Sequence, residues 1–257
     1  MAVVTVLTDH EALAAAAAER VASLVGSAIA ARRRASFCLS GGQTPRRLYE
    51  LLADPSHSFR STIDWTRVHV FWGDERQVPP DHAESNFGMA HRALLAHVPI
   101  PAGQIHRIRG ELADAAEAAN EYEMILSGLL DVALLGLGAD GHIASIFPGS
   151  PLLDFQPVGA DRLRAASASR LGGQSVAAVW VKQLNAWRIT LTPSALLDAR
   201  AILVLVSGAD KAAAVRAALD GPDDVRRWPG QLLRAAGDRV EWFMDAAAAQ
   251  WRAAPPA

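Results

Sequence analysis

The chain contains a single cysteine, Cys38, among 257 residues. That excludes an internal disulfide and a metal site built from several thiolates. Flanked by apolar residues in a strand-like run, Cys38 reads as an inert small hydrophobe. An excess of charge is also missing: 25 Lys and Arg stand against 27 Asp and Glu, a formal net charge of −2. So balanced a chain projects no strong field toward nucleic acid or a membrane surface, and neither is expected as a partner. No run of about eighteen uncharged apolar residues occurs, which argues against a membrane span. The opening MAVVTVLTDHEALAAAAAERVASLV has no basic lead and no signal-peptide architecture, so the expected location is the cytoplasm. No GxSxG elbow and no GxxxxGK[ST] loop is present, which removes the commonest serine-nucleophile and nucleotide-loop readings.

What is present is an ordinary soluble composition, 51% hydrophobic and 20% charged, rich in alanine. Short β-branched runs alternate with amphipathic segments. Strands are expected at Val3–Leu7, Ser36–Leu39, Val68–Trp72, Val132–Leu135, Ala177–Val181, Arg188–Leu191, Ile202–Val206 and Val240–Phe243. Helices are expected at Glu11–Arg32, Pro45–Leu52, Ser85–Ala96, Asp114–Leu129, Pro193–Asp198, Asp210–Leu219 and Gln231–Ala235. Thr44-Pro45 and Thr192-Pro193 each place a capping residue before a proline at the first helical position. Runs such as VALLG and ILVLV are apolar throughout, as parallel strands covered on both faces require. The fold class implied is α/β, a doubly wound, mostly parallel sheet with helices on both faces, Rossmann-like. One catalytic domain over residues 1–252 is expected, followed by a frayed tail at 253–257. Residues Gln156–Ser175 read as a polar loop.

Three segments carry chemistry. The first is Ser40-Gly41-Gly42-Gln43-Thr44-Pro45, after a strand and before a helix. Adjacent glycines let the backbone approach an anion, and their amides join the free amides of the helix start. A phosphate cradle and a plain strand-to-helix turn are both open on this segment alone. The second is Gly73-Asp74-Glu75-Arg76. Asp74 and Arg76, two apart in extended chain, face one side, and an arginine there can clamp a phosphate or stabilise an oxyanion. A surface salt-bridge cluster is the plainer alternative. Downstream, Ser85 or Asn86 can cap the following helix.

The third segment is Asp140-Gly141-His142, in DVALLGLGADGHIASIFPG. It sits where a buried strand ends, the edge at which open α/β sheets bind ligands. Asp140 can orient the imidazole or bind a substrate hydroxyl, and is also expected to cap a helix beginning near Gly141, with His142 in its first turn. There the helix dipole disfavours the imidazolium and keeps the ring available as a base. Lys211, opening a helix after Ile202–Val206, is a sensible second phosphate ligand or simply a solvated lysine.

Taken together, SGGQTPRRLYELL, WTRVHVFWGDERQVPPDHAESNFGMA, DVALLGLGADGHIASIFPGS, RITLTPSALLDAR and VSGADKAAAV resemble the 6-phosphogluconolactonase family, over most of the chain. The resemblance implies hydrolysis of 6-phospho-D-glucono-1,5-lactone to 6-phospho-D-gluconate, the second step of the oxidative pentose phosphate pathway. It also implies a fold related to glucosamine-6-phosphate deaminase and ribose-5-phosphate isomerase, and no metal or organic cofactor. The partner implied is a small sugar-phosphate lactone, handled by a monomer or a homodimer. By the same resemblance His142 is the general base, Arg76 a substrate-contacting arginine that steadies the tetrahedral anion, and Asp74 and Asp140 site carboxylates. Gly41, Gly42, Gln43 and Thr44 match the phosphate loop, Lys211 the phosphate-binding lysine, and Asn86 and Arg188 fall in family motifs. Two departures stand out. Gln43 replaces a small hydroxyl residue, and Gln183–Trp187 replaces a proline-rich lead-in. A sugar-phosphate isomerase or deaminase on the same scaffold is the nearest rival, although the glutamate that such a deaminase carries five residues after its histidine is Phe147 here. A non-catalytic sugar-phosphate sensor is the rival from another class.

Overall fold

A computed structural model describes residues 2–126, 128–154 and 174–252. The tail at 253–257, and the polar stretch 156–175 apart from Gln174 and Ser175, lie outside the described residues. The strands in chain order are β1 (Val3–Leu7), β2 (Ala35–Leu39), β3 (Val68–Trp72), β4 (Asp74–Arg76), β5 (Val132–Gly136), β6 (Val176–Val181), β7 (Ala186–Leu191), β8 (Ala201–Val206) and β9 (Val240–Asp245). Six of them form a parallel sheet in the order β1-β9-β8-β5-β2-β3. β8, AILVLV, is buried at every position, the pattern of a strand covered on both faces.

Helices flank this sheet: α1 (His10–Arg32), α2 (Gln43–Ala53), α3 (Ser58–Thr62), α4 (Asn86–Ala90), α5 (Ala115–Ile125), α6 (Pro193–Leu197) and α7 (Ala212–Asp220). Asp9 caps α1 by accepting from Ala12 N–H at 2.9 Å, and the helix stops at Arg33, whose φ of 64° is left-handed. By length and hydropathy alone α1 passes the test for a membrane span. Leu13, Ala14, Ala17, Ala18, Val21 and Val25 are instead buried in the core. Alanine suits this twice over, favouring the helix and letting its backbone lie close to the sheet.

Strands β4, β7 and β6 form a separate antiparallel sheet, in that order. The sequence reading found β6 and β7 but not β4. Gly73 explains both its existence and its brevity. Its N–H bonds Leu39 O of the large sheet at 3.0 Å, while its carbonyl accepts from Leu191 N of the small sheet at 2.8 Å. One residue therefore hands the chain from one sheet to the other. β6 and β7 are joined by the tight turn Lys182–Asn185, with Asn185 at φ 46°, too short for a parallel crossover.

Other boundaries shift for local reasons. The helix expected at Ser85–Ala96 is α4 running into a π-helical turn, His91–Leu95. The one expected at Asp114–Leu129 ends at Ile125, and Asp210–Leu219 begins as a 3₁₀ turn before α7. Gln231–Ala235 lies within a 3₁₀ stretch, Pro229–Arg239, broken where Gly237 takes φ 61°.

The chain has two tyrosines, and each is buried with its hydroxyl on backbone at a strand's carboxyl end. Tyr122 accepts from Trp72 N at 2.7 Å and donates to Trp72 O at 3.1 Å. Tyr49 does the same with Ser40 N and O, both at 2.9 Å. Because a buried group left unpaired costs about 1–3 kcal/mol, Tyr122→Phe is expected to lower unfolding stability by about that amount. Urea denaturation checks it: the midpoint falls while the slope is unchanged.

Candidate active site

The loops after β2, β3, β5 and β8 all leave the large sheet at its carboxyl edge, because those strands are parallel. β2 and β5 are neighbours, yet the chain goes from β2 out to β3 and from β5 the other way, to β8 and β9. Loops that diverge from adjacent strands leave a crevice between them. SGGQTP lines one side of it and the Asp140–His142 loop the other.

On the first side, Gly42 rather than Thr44 is the N-cap of α2, with φ 106°, a conformation open to glycine. The helix starts two residues before Pro45, which still falls in the first turn, where its missing N–H costs nothing. The amides at this start have no intrahelical acceptors, and Tyr49 pins the preceding Ser40. Gln43 is exposed and Thr44 half-buried in the first turn. Gly41 has no room for a side chain: a Cβ there would lie 1.9 Å from Asn86 Oδ1. Asn86 is thereby packed against the loop.

The second side departs from expectation. No helix begins at Gly141; residues 137–150 form turns and a short bridge between Ile143 and Ile146. The helix-dipole argument for His142 therefore has no basis. Gly136, Gly138 and Gly141 spell GxGxxG, but without a following helix the amides that hold a dinucleotide pyrophosphate are not assembled. Asp140 orients the ring, the other role its carboxylate offered. Its Oδ1 lies 2.6 Å from His142 Nδ1 and accepts from His142 N at 3.2 Å. A carboxylate can only accept, so in the neutral ring Nδ1 carries the proton and Nε2 holds the free lone pair. Phe147 stacks on the ring, centroids 4.2 Å apart. Gly138 makes space for both groups, since a Cβ there would fall 2.1 Å from His142 Nδ1. Gly141, at φ 82°, passes against Trp228.

The GDER segment is no surface salt-bridge cluster, because Asp74 and Glu75 are 9% and 2% exposed. Asp74 and Arg76 share a face as expected. Asp74 Oδ1 accepts from Asn86 Nδ2 at 3.2 Å, and Oδ2 accepts from Ser145 Oγ at 2.6 Å. Glu75 turns the other way and accepts from Asn86 N, Phe87 N and Ser85 Oγ. Burial raises its carboxyl above the usual range despite those donors. Ser85, not Asn86, caps α4 by accepting from Gly88 N at 3.0 Å.

Arg76 stands directly opposite Arg188 in the β4–β7 register. The side-chain hydrogen bonds of these arginines go to the carbonyls of Glu84 and Trp187. Burial first, and then Arg76 beside it, lowers the Arg188 guanidinium from its ordinary value. Two facing guanidiniums with no carboxylate paired to either among the described residues make a receptor for an anion. Lys211 lies on the same carboxyl edge, its Nζ 2.9 Å from Asp210. The loop leading to it is held by Asp245, which accepts from Ser207 Oγ and Gly208 N.

The structure thus brings Gly41, Asn86, Asp74, Asp140, His142, Arg76 and Arg188 into one connected region, with Gly42, Gln43 and Thr44 at its lip. The sequence reading missed Ser145, Phe147's stacking, Thr190 and Tyr49. Only Tyr49 had a signal, its rarity. Cys38 is buried, and burial raises its thiol, as an inert residue requires.

A family model described as glucosamine-6-phosphate isomerases/6-phosphogluconolactonase matches residues 8–242. A 6-phosphogluconolactonase from Synechocystis sp. is 35% identical over 252 residues, covering 94% of this chain and 95% of the relative. One from Mycobacterium tuberculosis is 37% identical over 235 residues, covering 86% and 87%. Among solved structures, 6-phosphogluconolactonase from Trypanosoma brucei superposes with a TM-score of 0.80 at 27% identity, covering 97% of this chain and 98% of that one. A monomeric glucosamine-6-phosphate deaminase shares the fold, with a TM-score of 0.77 at 22% identity and coverage of 96% and 99%.

The geometry sets the tautomer of His142. Long-range proton–nitrogen NMR of the neutral ring is expected to show the proton on Nδ1, and Asp140→Ala to shift it toward Nε2. A proton on Nε2 in the unmodified protein would contradict the arrangement.

Proposed function

The chain belongs to the glucosamine-6-phosphate isomerase/6-phosphogluconolactonase family, and from that membership and the geometry of the crevice we infer that it hydrolyses 6-phospho-D-glucono-1,5-lactone to 6-phospho-D-gluconate. This is the second step of the oxidative pentose phosphate pathway. The observation that carries the reading is His142, held by Asp140, across the β2–β5 crevice from a helix start whose first amides have no intrahelical acceptors.

The chemistry matches these groups. A lactone is an activated ester, so water can attack its carbonyl directly once a base removes a proton. Nε2 of His142 takes that proton. Arg76 faces the carbonyl oxygen as negative charge builds there, and Arg188 adds to the same field. As the tetrahedral intermediate collapses, the C1–O5 bond breaks and His142 returns its proton to the ring oxygen. The first-turn amides of α2, with Gly41, Gly42, Gln43, Thr44 and then Lys211, hold the phosphate, which fixes the carbonyl opposite the base. No covalent nucleophile, metal or organic cofactor is needed by this route. Residues 1–252 acting as one domain, in the cytoplasm, as a monomer or homodimer, complete the proposal.

Phe147 supports hydrolysis over deamination. Its hydrocarbon ring stacks on the imidazole and has no proton to relay to an amino group.

The direct test generates the lactone in place from glucose 6-phosphate and glucose-6-phosphate dehydrogenase, then follows its loss with and without the protein. Acceleration is expected, and ammonia release from glucosamine 6-phosphate is not; the reverse pattern overturns the reading. A general base contributes roughly 10²–10⁴-fold. His142→Ala is therefore expected to lower kcat at least about a hundredfold while 6-phosphogluconate still binds. Unchanged turnover would remove His142 from the role.

A further inference from the structure

We infer that Asp74 and Ser145 form a strut that fixes the reach between the base and the arginines, which makes both positioning residues; this rests on His142 being the general base. Ser145 Oγ donates to Asp74 Oδ2 at 2.6 Å, the two lying 71 positions apart in the chain. Ser145 is 2% exposed, so this bond is shielded from competing water. The other carboxylate oxygen of Asp74 is engaged by Asn86 Nδ2, which also donates to the Asp74 carbonyl at 2.9 Å. Each oxygen of Asp74 thus already has a protein donor, and its task is to hold rather than to exchange a proton with substrate.

What it holds is specific. Ser145 lies inside the tight turn Ile143–Ile146, where Ala144 takes φ 47°. His142 enters that turn, and Phe147, which stacks on the imidazole, leaves it. Ser145 N also reaches Thr190 Oγ1 at 3.3 Å, and Thr190 is the register partner of Asp74 in the small sheet. The turn carrying the base is therefore fastened to both β4 and β7. Those strands carry Arg76 and Arg188. Through Asn86, packed against Gly41, the same carboxylate also reaches the phosphate loop. One buried carboxylate joins the three parts that must keep register with a single substrate.

Displacements of about 1 Å cost on the order of a hundredfold in rate, whereas removing the Ser145 hydroxyl leaves the contact from Asp74 through Asn86 to the phosphate loop in place. Ser145→Ala is expected to lower kcat about 10- to 100-fold while KM changes less than about threefold. Asp74→Ala is expected to lose at least as much. Asp74→Asn is expected to recover at least about tenfold of that loss, since the amide still accepts from Asn86 and its N–H can donate to Ser145 Oγ. The double variant Ser145→Ala/Asp74→Ala is expected to match Asp74→Ala alone, because Asp74→Ala already removes the bond that Ser145→Ala cuts. Additive losses, or an Asp74→Asn protein as impaired as Asp74→Ala, would overturn the strut. An unmodified protein that leaves the lactone untouched would instead overturn the functional reading beneath it.

Discussion

Strands β2 and β5 lie side by side and parallel, but the chain leaves them in opposite directions. The remaining features of the site depend on that reversal. A crossover to the same side would have laid the following segments over the strand ends. Divergence leaves the ends open, with backbone amides on one lip and an imidazole on the other. Each lip is then stiffened locally. Tyr49 fixes the backbone just before the glycines, and Asp140 with Phe147 fixes the ring.

The second sheet supplies what the first cannot. The parallel sheet delivers loops to one edge, while the two arginines in direct register come from the antiparallel pair β4 and β7. The cost is that the arginines and the base sit on different sheets. Gly73 joins those sheets through backbone hydrogen bonds to both, and side chains between Asp74, Asn86, Ser145 and Thr190 close the remaining gap. Two arginines with no carboxylate paired to them among the described residues on one side, and an oriented acceptor on the other, suit an anionic substrate whose carbonyl is attacked by water.

Much of this was legible in the residues alone. The all-apolar runs announced buried parallel strands, and the glycine pairs after two of them marked the crevice. Alternation placed Asp74 and Arg76 on one face before β4 was known. What could not be read were contacts between distant segments. The bond from Ser145 to Asp74 spans 71 positions, and no local pattern encodes it. The helix expected after Gly141 failed for a related reason. An N-cap reading judges Asp140 by its neighbours, while its carboxylate is spent on the imidazole. The 3₁₀ form of the stretch Pro229–Arg239 was hidden too, because the short run Gln231–Ala235 is too brief to tell a 3₁₀ period from an α-helical one.

The central claim is that one sugar phosphate spans the crevice, phosphate on the α2 amides and C1 against His142. A crystal structure with 6-phosphogluconate bound tests it most directly. The account requires the phosphate within hydrogen-bond distance of the amides of Gly42 to Thr44, and the C1 carboxylate in contact with Nε2 of His142 and the guanidinium of Arg76. A phosphate seated elsewhere, or a C1 carboxylate out of reach of the imidazole, would contradict it.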